Sequence, residues 1–166
     1  MTIDTKIWYD LVHTKYGDEY LVLYLGRQRT FRKWFKILTI LFSASGIFSA
    51  FQSAKIPTII SCALIGLVQL VTSIENFIIH SEDDLDSLSK LRLQYYDRTN
   101  KLEELWNSLA TNKMTDEEAT TEFFNLRKSA KEIEELDNKL NVRTFKRLKA
   151  IANNNTNNYL NTYYNE

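Results

Sequence analysis

Proline, cysteine, histidine and glycine are all scarce in this chain of 166 residues, which holds one, one, two and four of them respectively. The lone cysteine, Cys62, excludes an intramolecular disulfide and any zinc site built on paired cysteines. Its apolar neighbours make it a small packing residue. With so few glycines there is no Gly-rich phosphate loop, and neither a metal-ligand spacing nor a nucleophile motif is present. His13 and His80 lie far apart in sequence, and neither has a partner at ligand spacing. No catalytic residue, metal ligand or cofactor is therefore assigned, and the chain is not expected to be an enzyme. Residues 1–16 lack the basic region followed by an apolar run that marks a secretory signal.

Charge is missing too, but only locally. The chain carries 21 basic and 21 acidic residues, for a formal net charge of zero. None of them falls in residues 37–54 or 56–74. A helix rises about 1.5 Å per residue, so roughly 20 residues cross about 30 Å of hydrocarbon. Both stretches come close to that length. Between them stands Lys55-Ile56-Pro57, with the only proline of the chain. The residue before a proline is pushed out of the helical region, while proline itself suits the first turn of the next helix. A two-helix transmembrane hairpin is the expected result, because so short a chain has little left to cover two apolar helices.

Orientation follows from basic residues near the span ends. Arg27, Arg29, Arg32, Lys33 and Lys36 precede the first span, whereas the turn carries only Lys55. Both termini are expected in the cytoplasm, with Trp34 and Phe35 as anchors at the inner boundary. The basic cluster serves topology and anchoring on one reading, and binds an anionic ligand or lipid headgroups on another.

The spans are rich in small and polar residues. Ser45, Ser49 and Ser53 repeat every four residues, beside a second stripe of Gly46, Ala50 and Ala54. Such residues let helix backbones approach closely in lipid. Two stripes and one intrachain partner point to contacts between subunits, hence a homo-oligomer in the bilayer. In the second span Gln69, Thr72 and Asn76 share a face, with Ser73 and Glu75 beside them. They line a water-filled axis on one reading, with Glu75 as an acidic ring at its mouth. On the other, Gln69 bonds a neighbouring helix and Glu75 sits among headgroups.

Beyond the hairpin, acidic residues 82–84 suit a helix N-terminus. Leu88, Tyr95, Leu102 and Leu109 then repeat every seven residues, with Leu91 and Leu105 between them, a coiled-coil seam interrupted by Arg98. After a break at residues 110–114, Thr115 and Glu118 read as a capping box. The helix it opens should fold back antiparallel on the first. Residues 143–149 form a basic segment, which docks on the acidic helices on the favoured reading and reaches an anionic ligand on the other. The Asn-rich tail, 153–166, shows no helical period and is expected to be disordered unless a partner orders it. At the N-terminus a short helix over residues 3–16 should end at Gly17-Asp18.

The expected architecture is all-α: a cytoplasmic N-terminal and basic segment (1–36), the transmembrane hairpin (37–79), a cytoplasmic helical and coiled-coil region (80–152) and the tail (153–166). This layout resembles the SLATT class of two-transmembrane effectors of bacterial antiphage defence. The features that carry it are the short helix with Trp8, the basic approach from Arg27 to Lys36, the tight turn at Lys55-Ile56-Pro57 and the long helical part after Asp84. The resemblance covers the chain to about Ile151 and is architectural. It implies a Hailong-like or related system, with a nucleotide or oligonucleotide signal made by a partner nucleotidyltransferase. It also implies a gated pore in the bacterial inner membrane, causing depolarisation and growth arrest. Arg27, Arg29, Arg32 and Lys33 are then the candidate ligand contacts. The alternative is a membrane-anchored coiled-coil scaffold that recruits a cytoplasmic partner without forming a pore.

Overall fold

The computed structural model describes residues 1–50, 66, 69–70, 73 and 80–164, with side chains omitted for 42–50. Every element among them is helical: α1 (Ile3–Ala50), α2 (Glu82–Ala110), α3 (Asp116–Leu140) and α4 (Lys146–Tyr164). The all-α expectation holds. Among the described residues no helix is long and apolar enough to cross a membrane. The two expected spans fall largely outside the described residues. Two units divide the chain, one of Met1–Leu25 with Asp86–Glu166, the other of Gly26–Leu85.

All four helices build the core of the first unit. Ile7 and Leu11 of α1 meet Leu102 and Leu105 of α2, Ala119 and Phe123 of α3, and Leu160 of α4. The predicted seam is the buried face of α2, since Leu88, Leu91, Leu102 and Leu105 are all buried. Arg98, which interrupts that seam, is buried as well. Its guanidinium pairs with Asp10 of α1 at 2.6 Å and also donates to the Leu126 carbonyl of α3. The Arg98–Leu126 bond, with Leu105 and Ala119 closer to the connecting loop, makes α2 and α3 antiparallel. The capping box forms as expected: Thr115 Oγ1 accepts from the Glu118 amide, and the Glu118 carboxylate accepts from the Thr115 amide.

Two expectations are corrected. First, α1 does not end at Gly17-Asp18. A Cβ at Gly17 would lie 2.5 Å from a ring carbon of Tyr95, so the glycine admits that ring against the helix. Asp18 is buried and accepts from Arg92 Nε at 2.7 Å, with Lys15 Nζ at 3.8 Å. Glycine costs a helix about 1 kcal/mol relative to alanine, and packing against α2 offsets it.

Second, the Asn-rich tail is helical as far as Tyr164. Ala152, Thr156 and Leu160, spaced by four, form its buried face. Tyr159 donates its hydroxyl to Glu103 at 2.6 Å, and Asn155 donates to Glu19 at 3.2 Å. Trp8, Trp106 and Tyr164 stack edge-on or tilted, with centroids 5.2–5.3 Å apart. The order that a partner was expected to supply comes from the chain itself.

In the second unit Ser81 caps α2, its hydroxyl accepting from the Asp84 amide at 3.1 Å. The Asp84 carboxylate in turn accepts from the Ser81 amide at 3.2 Å. These bonds with Ser81, aided by nearby His80, hold the Asp84 carboxyl below its ordinary pKa.

Candidate functional site

Two places gather side chains capable of binding, one in each unit. In the second unit the basic cluster lies along α1. Arg32 and Lys36, one turn apart, converge on Glu82 at 2.8 and 3.8 Å. Arg32 is thus committed to an ion pair, although its Nη1 is buried without an acceptor among the described residues. Arg29 and Lys33, also one turn apart, are exposed. Arg27 stacks over the Phe31 ring at 5.5 Å. The four predicted ligand residues therefore divide between a clamp on Glu82, a cation–π contact and an exposed basic strip. Phe31, Trp34, Leu38 and Leu41 form an apolar stripe on the same stretch, each 46–60 % exposed.

Of the predicted packing residues, Ser45, Gly46, Ser49 and Ala50 belong to α1, and Ser53 lies outside the described residues. Gln69 and Ser73 are helical and exposed, the Ser73 hydroxyl donating to the Gln69 carbonyl at 2.8 Å. Thr72, Glu75 and Asn76, the rest of the predicted pore lining, lie outside the described residues.

The second place was not anticipated. The first unit contains a half-open cavity of about 250 Å³ to which all four helices contribute. Tyr16 and Gly17 of α1 and Tyr95 of α2 form its aromatic side. Tyr20 stacks between Tyr16 and Tyr24, at 6.3 and 6.2 Å, and Tyr24 stacks on Phe145 at 6.1 Å. The Tyr20 hydroxyl donates to the Arg143 carbonyl at 2.6 Å and accepts from the Phe145 amide at 3.0 Å. These bonds hold the connection between α3 and α4 along the cavity. The basic segment thus docks on the tyrosines of α1.

Polar groups converge on the same space: Asp137 of α3, Lys149 of α4 and, at the exposed edge, His13 of α1. Burial raises the Asp137 carboxyl and the Tyr16 phenol above their ordinary pKa values. Burial first, then the Asp137 and Glu134 carboxylates, push the Tyr95 phenol up to about 12, against a smaller opposing effect of Arg98. No protein family, curated protein or solved structure matches this chain.

The tyrosines at positions 16, 20 and 24 repeat every four residues, so their shared face was readable from sequence. Their partners are more than 70 residues away, at Tyr95, Asp137 and Lys149, and no local pattern announces them. Chemically, the cavity offers ring faces, one acid, one ammonium and, at its edge, the His13 imidazole.

Proposed function

We propose that this chain is an oligomeric membrane effector whose hairpin, residues 37–79, forms a gated ion-conducting pore. One observation carries the reading. Glu82, at the start of α2, receives both Arg32 and Lys36 of α1. The flanks of the uncharged segment are thus side by side, which supports a hairpin between them. Its two uncharged stretches and the apolar stripe of Phe31, Trp34, Leu38 and Leu41 support burial in lipid, since so large an exposed apolar face calls for a cover. The excess of basic residues at this end supports an orientation in the cell membrane with both termini cytoplasmic.

In this reading Gln69, Thr72, Ser73, Glu75 and Asn76 line the pore, and the exposed Arg29 and Lys33 help to hold an anionic cytoplasmic signal, a nucleotide or oligonucleotide. A signal gates only if it binds the open and closed states unequally. The consequence is depolarisation and growth arrest in antiphage defence. The scaffold alternative is weaker, because the seam a recruiting coiled coil would present is spent inside the first unit.

The test is ion flux through purified protein in liposomes, with its mass in detergent measured in parallel. An oligomer that conducts, and stops conducting while still assembled when Gln69, Thr72 and Asn76 become leucine, is the expected result. A monomer that leaves the liposomes tight, with or without candidate nucleotides, would overturn the reading.

A further inference from the structure

The cavity of the first unit stands apart from the pore reading and rests on separate observations. The Tyr20 hydroxyl is spent on the fold, but three other polar side chains of the lining are not. Asp137 and Lys149 both line it, yet they form no ion pair with each other. Neither side chain, nor the Tyr95 hydroxyl, makes a hydrogen bond among the described residues. Asp137 and Tyr95 are half-buried and Lys149 is exposed, so each can offer a bond to a molecule held in the cavity. Solvent reaches Asp137 and Tyr95 only in part.

Shape narrows the choice of ligand. At about 250 Å³ the cavity exceeds the share of a single water, about 30 Å³, several-fold. Tyr16 and Tyr95 offer ring faces, against which planar π-systems stack or tilt. Gly17 is what allows Tyr95 to reach this position, because a Cβ there would collide with the ring. Lys149 is exposed, so an anion paired with it would stay partly hydrated, whereas Asp137 is half-buried and suited to accept an N–H.

We propose that the cavity between Tyr16, Tyr95, Asp137 and Lys149 binds a small planar heteroaromatic acid. The ring lies against the tyrosines, the anionic group meets the Lys149 ammonium, and a ring N–H donates to Asp137. The ligand completes contacts that the fold leaves open, and it links α1, α2, α3 and α4 through one molecule.

The experiment titrates the purified full chain in detergent by calorimetry, with empty micelles as the blank. Three probes share one ring: indole-3-acetate, its neutral amide and the cationic tryptamine. Indole-3-acetate should bind saturably, about tenfold tighter than the amide, the ratio that one charge-assisted contact supplies. Lys149→Gln should bring the two to equal affinity without altering the helical spectrum. Asp137→Asn, which replaces an acceptor-only group, serves as the second variant and should weaken both probes. Absence of saturable binding by all three probes would overturn the proposal. So would tightest binding by tryptamine, which would make the cavity a site for cations. Equal binding of acid and amide in the unsubstituted chain would remove the role given to Lys149.

Discussion

Arg98 Nη2 lies 2.6 Å from Asp10 Oδ2, and the arginine side chain is only 6 % exposed while the aspartate is 23 % exposed. Removing one partner from a buried pair strands the other charge, typically at about 3–5 kcal/mol. The two ends of this pair differ in their access to water. Asp10→Ala leaves the guanidinium inside with only the Leu126 carbonyl, and should cost about 3 kcal/mol. Arg98→Leu leaves a carboxylate that can hydrate, and should cost less. Urea unfolding followed by helical signal compares them, and equal losses would show that the pair's burial is symmetric in effect.

Gly17→Ala should destabilise the bundle although alanine is the better helix former. The helix gains about 1 kcal/mol, while overpacking against the Tyr95 ring costs about 1–3 kcal/mol. Removing the ring should reverse the sign. In a Tyr95→Ala background, Gly17→Ala becomes stabilising. A double-mutant cycle on melting temperature reads this directly, and additive effects would contradict the contact.

Alkaline stability should depend on Tyr95. Its pKa in the folded chain, about 12, exceeds the ordinary value of about 10. A group raised in this way adds stability that is fully present below pH 10 and lost as pH rises from 10 through 12. Tyr95→Phe keeps the ring and removes the ionisation. The variant should melt close to the parent at pH 7 and above it at pH 11. Tyr159, also raised by burial and by its bond to Glu103, should leave a residual alkaline loss in the variant. Phenolate absorbance followed with pH checks that the late-titrating tyrosines ionise as the helices melt.

Leu160→Ala should cost about 2–3 kcal/mol, the usual range for a truncated core leucine that is almost fully enclosed. A disordered tail would tolerate the same change without loss. Thermal unfolding of the variant, with Asn158→Ala as an exposed control two residues away, separates the two outcomes.

What the sequence made legible was local. The seven-residue repeat on α2 reappears as its buried face, and the Thr115–Glu118 capping box forms with both reciprocal bonds. Both patterns lie within a few turns of chain, where periodicity and helix-end chemistry operate. Gly17-Asp18 was misread for the opposite reason. Those residue types end helices when solvent is the alternative, but Tyr95 and Arg92, more than 70 residues on, take that role instead. The tail was misread because its asparagines dominate the composition. Ala152, Thr156 and Leu160 on one face, and tyrosines with bonding hydroxyls, outweigh them. The clamp of Arg32 and Lys36 on Glu82 could not be foreseen either, since pairing depends on how the chain returns.

The contact of Trp8 with Tyr164 also sets an order of events during synthesis. α1 leaves the ribosome first, carrying Ile7 and Leu11, whose cover includes Leu160 near the other end of the chain. Contacts this distant in sequence form late and slowly. Leu102, Leu105, Ala119 and Phe123 can cover that face earlier, but its cover is complete only once translation has passed residue 160.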